Sequence, residues 1–241
     1  MEWINAGDRA ANTYVYPIET GWVMVDTGRE GSLRAVRERL RRQGVELHQL
    51  RYVFLTHARD NSAGFLRELL NLYPDLLCIA SPQSWETLRR GRNPRKGGFT
   101  NRLALLWGRW RKWRNQDCDA FPPFYDDYHS RIWEIGPETQ SAIEEQLGGK
   151  LLITPGHSRD AVSLLVGDRL YCGDAAGSGL FCPHHISAWV EDPATYAASW
   201  EAMAASGAKW IVPGCGSAFP VEELRNQQEF LKNLPQYNIF A

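Results

Sequence analysis

Tyr52-Val53-Phe54-Leu55-Thr56-His57-Ala58-Arg59-Asp60-Asn61 is the stretch on which the fold turns. Its first half is a short, continuous apolar run, the pattern of a strand covered on both faces. Its second half is a polar loop carrying an imidazole, a guanidinium and a carboxylate. A buried strand that opens abruptly into such a loop places chemistry at the rim of a sheet, where a rigid scaffold can gather side chains from distant parts of a chain.

Upstream, residues 12–18 and 22–26 are β-branched and aromatic runs separated by Glu19-Thr20-Gly21, which predicts a hairpin. Asp26-Thr27-Gly28 ends its second strand, and the Asp26 carboxylate is expected to bond loop amides. Leu33, Val36 and Leu40 recur at helical spacing among Arg and Glu, so 32–43 reads as an amphipathic helix closed by Gly44. Downstream, 62–72 reads as a helix and 76–80 as another buried strand. The strand pattern resumes at 150–154, 161–166 and 169–172, with Gly167-Asp168 as a hairpin turn; a helix at 193–206, a strand at 209–212 and a helix near 220–234 follow. Hairpins mixed with helical crossovers imply a layered α/β architecture, and with no repeat or low-complexity linker the chain reads as a single domain over 1–241.

Three later loops share the character of the first: His157 in Thr-Pro-Gly-His-Ser, Asp174 in Tyr-Cys-Gly-Asp-Ala and Cys215 in Val-Pro-Gly-Cys-Gly, each following an apolar strand. With these residues in order, the chain resembles the metallo-β-lactamase superfamily. Asn12-Thr13-Tyr14 with Val25-Asp26-Thr27-Gly28 resembles its N-terminal hairpin, and Thr56-His57-Ala58-Arg59-Asp60-Asn61 its Thr-His-x-His-x-Asp-His metal motif. Thr154-Pro155-Gly156-His157-Ser158 resembles the loop of its third histidine, Gly173-Asp174 its bridging aspartate and Pro213-Gly214-Cys215-Gly216 its Pro-Gly-His-Gly loop. The resemblance implies a four-layer αββα sandwich of two mixed sheets flanked by helices.

For activity it implies a metal-assisted hydrolase with an incomplete site. Arg59 stands at the family's second histidine, Asn61 at its third and Cys215 at its last. His57 and His157 remain for a first metal, Asp60 for a second and Asp174 between them, with Cys215 a possible thiolate ligand. Two imidazoles and a carboxylate with an open position suit one zinc or ferrous ion. Against it, a permanently charged guanidinium at a ligand position repels a dication. Asp60 would orient or deprotonate water, and Arg59 would hold substrate charge or an oxyanion. The expected substrate is an anionic ester, thioester or phosphoester. The alternative is a metal-free binding protein of the same fold that recognises an anionic ligand or nucleic acid.

The charge distribution bears on that substrate. The chain carries net charge −1, yet between Glu86 and Asp117 there is no acid and there are ten bases, leaving 17 bases against 28 acids elsewhere. This basic, Trp-rich insertion, at about 87–130, contains a helix on which Leu103, Leu106, Trp107 and Trp110 share a face. Its arginines and interleaved Trp residues fit phosphates and bases, an anionic membrane surface, or a flap packed by its Trp and Leu face with Arg outward. The flap is the favoured expectation, with Trp107 and Trp110 over the pocket. His184 and His185 either reach the site to bind substrate or are a surface pair, and the surface pair is favoured. Cys78, Cys118, Cys172 and Cys182 read as packing residues. Five cysteines without a framework, no run of eighteen apolar residues and no basic-then-apolar N-terminus predict a cytoplasmic protein without a spanning helix.

Overall fold

A computed structural model describes residues 3–8, 10–114 and 119–238. In chain order the strands are β1 Ile4–Asn5, β2 Tyr14–Ile18, β3 Gly21–Val25, β4 Leu50–Phe54, β5 Leu77–Ala80, β6 Gly98–Phe99, β7 Ile132–Glu134, β8 Lys150–Ile153, β9 Val162–Val166, β10 Arg169–Gly173, β11 Trp189–Val190, β12 Trp210–Pro213 and β13 Phe219–Pro220. The helices are α1 Leu33–Arg42, α2 Leu66–Leu72, α3 Ser84–Arg90, α4 Arg102–Trp113, α5 Gln140–Leu147, α6 Pro193–Ala205 and α7 Val221–Gln227.

Two mixed sheets form, ordered β1-β2-β3-β4-β5-β7 and β13-β12-β10-β9-β8, with β11-β6 a separate ribbon. Alternation of side chains along each strand sorts them into three cores. Between the sheets lie Tyr14, Tyr16, Val23, Val25, Phe54 and Ile79 from the first and Val162, Leu164, Tyr171 and Val212 from the second. The alternate residues Val15, Met24, Val53 and Cys78 face α1 and α2, meeting Leu33, Val36, Leu40, Leu66 and Leu69. Leu170, Cys172 and Ile211 face the other way, onto Trp200 and Met203 of α6 and Leu224 of α7. Three cores between four layers make an αββα sandwich.

Most boundaries follow the pattern of the sequence, and the departures have causes. Helix α2 begins at Leu66 rather than 62 because the preceding residues are engaged elsewhere. The Ser62 carbonyl accepts the Thr27 N–H (2.7 Å) and the Gly64 N–H donates to the Gly28 carbonyl (2.9 Å), tying this segment to the Asp26-Thr27-Gly28 turn. Near 220–234 there is α7 followed by a 3-10 turn, Gln228–Leu231, in place of one helix. Helices α3 and α5 are too short to show a helical period in the sequence; each ends on a left-handed glycine, Gly91 and Gly148.

The basic, Trp-rich segment lies in the connection between the parallel neighbours β5 and β7. Asn101 caps α4 by accepting the Ala104 N–H at 2.9 Å. The helix sits opposite to expectation. Ala104 is its buried residue, while Leu103, Leu106, Trp107, Trp110 and Trp113 are exposed. Its inner face is the row Ala104, Gly108 and Arg111, four and three residues apart. Ala104 and Gly108 on that row are small, and the Trp and Leu face points outward. Cys118 falls outside the described residues.

Candidate metal centre

His57 follows β4 in the first sheet, whereas His157 follows β8 and Asp174 follows β10 in the second. Two links close the gap between the sheets here. The Val162 N–H donates to the Thr56 carbonyl at 2.9 Å. Gly173 has φ +53°, and a Cβ there would lie 2.1 Å from Thr56 Oγ1, so only glycine lets β10 pass this close to β4.

One candidate ligand atom from each of His57, His157 and Asp174 lies within 4.8 Å of the other two. The nitrogens His57 Nε2 and His157 Nε2 are 3.7 and 3.9 Å from Asp174 Oδ2, and the two rings meet edge to face. His57 Nε2, His157 Nε2 and Asp174 Oδ1 are all buried without a hydrogen-bond partner. Buried polar atoms are rarely left so, and two unpartnered imidazole nitrogens facing one carboxylate mark a place for a ligand.

The surrounding bonds set the tautomers. Thr56 donates its hydroxyl to Asp26 Oδ2 at 2.7 Å and so has only lone pairs to offer His57 Nδ1, 2.9 Å away. His57 therefore carries its proton on Nδ1. His157 Nδ1 lies 2.8 Å from the Trp189 carbonyl, which can only accept. Both imidazoles thus turn Nε2 toward Asp174, as metal-binding histidines do when their second nitrogen is anchored. Asn61 donates from Nδ2 to Asp174 Oδ2 at 2.9 Å.

Electrostatics reinforce the set. Burial works against the Asp174 carboxylate, but His57, His157 and Asn61 outweigh it and hold this acid well below the usual carboxylate range. Burial likewise opposes charge on His57, yet Asp174 draws its pKa above the ordinary imidazole value. His157 is kept well below that value by burial and then by the charges of Arg59 and His57. The donor set, two neutral-capable imidazoles and an ionised carboxylate, fits a divalent metal.

Other expected residues lie outside this cluster. Asp60 accepts from Asn93 Nδ2 at 2.6 Å while its own N–H donates to Asn93 Oδ1 at 2.9 Å. Burial raises its pKa against the pull of Asn93, Arg29 and Arg59. Counting Thr-His-x-His-x-Asp-His along Thr56–Ser62 explains this placement. Asn61 falls at the aspartate, Ser62 at the last histidine and Asp60 at the variable position, one residue away from the expected register. Cys215 is also outside, its Sγ 3.8 Å from Cys182 Sγ. Arg59 is buried and pairs with Glu191 at 3.5 Å rather than with Asp60, with its guanidinium 5.9 Å from the Trp189 ring centre. His184 bonds Gln227 and stacks on Phe230; His185 bonds Glu223 and stacks on Phe219. Both therefore serve the packing around α7. Trp107 and Trp110 stack on each other, and Trp107 also stacks on Phe181 of the loop after Asp174.

Two supporting residues escaped the sequence reading. Asp160 Oδ2 accepts the Ala58 N–H at 2.8 Å and the Ser84 hydroxyl at 2.7 Å. Glu191 holds Arg59 and accepts the Arg159 N–H at 3.2 Å. Asp160 sits three residues after His157, a spacing that could have drawn notice; nothing local marks Glu191.

Known proteins share this fold. The pattern of the Metallo-beta-lactamase superfamily matches residues 6–214. The metallo-beta-lactamase fold-containing protein ST1585 of Sulfurisphaera tokodaii is 29% identical over 175 residues, covering 70% of this chain; the matched region spans 58% of that relative's length. Its crystal structure superposes with a TM-score of 0.61 at 19% identity, over 97% of this chain and 85% of that one. The family protein TTHA1429 of Thermus thermophilus gives 0.64 at 18%, over 92% and 73%. A Cronobacter sakazakii metallo-beta-lactamase described by its HARLDQ motif gives 0.55 at 19%, over 87% and 73%. The first three letters of that motif are also those of His57-Ala58-Arg59. Strand-end loops, interleaved cores and a sequence match across most of the chain agree: this protein belongs to the metallo-beta-lactamase superfamily.

Proposed function

We propose that the protein is a hydrolase that works with a single metal ion held by His57, His157 and Asp174, on an ester, thioester or phosphoester bearing negative charge. The observation that carries this reading is that His57 Nε2 and His157 Nε2, both buried and unpartnered, face the Asp174 carboxylate at 3.7 and 3.9 Å. A zinc or ferrous ion there would supply Lewis acidity toward a carbonyl or phosphoryl oxygen and toward water.

The chain's own residues do the rest. Thr56 and the Trp189 carbonyl fix the imidazoles, and Asn61 steadies the Asp174 carboxylate. Asp174, the ionised acid of the cluster, would orient a water by accepting its hydrogen. Asp60, occupied by Asn93, is turned from that task. Arg59, whose Nε is buried without a partner, supports binding of an anionic substrate group or a developing oxyanion. Only one metal is proposed because Asn61, Ser62 and Cys215 stand where the family's motifs would complete a second site. We place the protein in the cytoplasm because Cys78, Cys172, Cys182 and Cys215 are all free thiols. No described helix is long and apolar enough to cross a membrane.

Elemental analysis after zinc or iron loading tests the metal site, followed by a panel of anionic esters, thioesters and phosphodiesters. About one ion per chain is expected, lost in His157→Ala and Asp174→Ala together with hydrolysis. Wild type as empty as both variants would overturn the reading in favour of a metal-free binding protein.

A further inference from the structure

We propose that the outer face of α4, with the neighbouring Leu180, docks the protein on the surface of an anionic lipid bilayer. Taking 100° per residue, Leu103, Leu106, Trp107, Trp110 and Trp113 fall within roughly 120° of arc. That arc faces solvent: Leu106 is 61% exposed, Trp113 80% and Leu180 75%. Trp107 stacks on Phe181, the residue after Leu180, so this loop adjoins the apolar face of the helix. Contiguous exposed apolar area of this kind marks an interaction site.

Charge selects the partner. Arg102 and Arg109 lie along one flank of the arc and Arg114 lies just past its end, all exposed. No acidic residue occurs between Glu86 and Asp117 to offset them. A helix with Trp and Leu on one side and Arg beside it, short enough at about 18 Å to lie flat, matches the interfacial amphipathic pattern.

Nucleic acid fits less well. Bases need open aromatic faces, and here Trp107 is stacked between Trp110 at 4.9 Å and Phe181 at 5.6 Å, while Arg114 lies over Trp110 at 5.0 Å. Three exposed leucines give a base nothing to stack on, but they give acyl chains and headgroup boundaries apolar area.

The test is co-sedimentation and Trp emission with vesicles of phosphatidylcholine, with and without phosphatidylglycerol. Wild type should bind the anionic vesicles with a blue shift in emission, weakening as salt rises. Leu106→Ser/Trp113→Ser and Arg102→Glu/Arg109→Glu should each lose binding about tenfold while keeping the wild-type circular dichroism, since these side chains are exposed. Equal binding by wild type and variants, or equal binding to neutral vesicles, would overturn the proposal. So would failure to bind vesicles combined with RNA binding, or with a dimer, that the Leu106→Ser/Trp113→Ser variant abolishes. His157→Ala protein should bind vesicles as wild type does, so the metal reading and this one fail separately.

Discussion

Asp160 accepts the backbone N–H of Ala58 at 2.8 Å, and in doing so ties the loop that carries His57 to the loop that carries His157. The same oxygen takes the Ser84 hydroxyl at 2.7 Å, which anchors the pair to α3. Asp160→Ala leaves both buried donors without a partner, so a stability loss of about 2–4 kcal/mol is expected in urea unfolding. Zinc affinity should fall by roughly 10–100-fold even though no ligand is touched, because the imidazoles lose their fixed separation. Competition with a chromophoric chelator would measure it.

Arg59 and Glu191 are a buried pair, and breaking it from either side should have opposite effects on the metal. Glu191→Gln leaves the guanidinium unpaired, at an expected cost of about 3–5 kcal/mol read from thermal unfolding. It should also weaken zinc binding, since more of the positive charge is then felt at His157. Arg59→His removes that charge and adds an imidazole at the family's second-histidine position. Zinc affinity should rise by about tenfold or more.

The register of the metal motif separates two neighbours. Asp60→Asn should leave zinc content unchanged, because this carboxylate is engaged by Asn93 and lies outside the cluster. Asn61→Asp replaces the amide at Asp174 with a second carboxylate, and elemental analysis should show uptake rising from one ion toward two. The reverse outcome would restore Asp60 as a ligand.

Asp26 gives a pH dependence whose sign can be worked out. Burial lifts its pKa to about 7, against the lowering effects of His57 and of the Thr56 amide and hydroxyl. The folded value is above the unfolded one, so this group's contribution to stability is full below about pH 4 and is lost as pH rises toward 7. The amount is of order 3–4 kcal/mol. Asp26 sits at φ +56°, a conformation asparagine tolerates, so Asp26→Asn is the appropriate variant. The stability advantage of wild type over it should shrink between pH 4 and 7 in denaturant titrations.

The layered fold was legible because period-two patterns and strand-end loops survive without tertiary knowledge: Tyr14, Tyr16, Val23 and Val25 alternate with Val15 and Met24 in the sequence as they do in the cores. His57, His157 and Asp174 were legible because each ends an apolar run. What escaped was settled by partners far along the chain. The start of α2 depends on the Gly28 and Thr27 backbone, and the place of Asp60 on Asn93. The orientation of α4 escaped for another reason: periodicity identifies an apolar face but not whether it turns inward, and here Ala104, Gly108 and Arg111 won the inner side.

The three candidate ligands do not come from one half of the molecule. His57 follows a strand of the six-stranded sheet, His157 and Asp174 strands of the five-stranded one, and at this rim the Val162–Thr56 and Ala58–Asp160 hydrogen bonds join the two halves beside the apolar core between the sheets. An ion held by all three would act as a rivet through the sandwich, binding the folded chain and not the unfolded one. Its removal should therefore be felt as a loosening of the two halves, with a melting temperature that climbs with free zinc concentration.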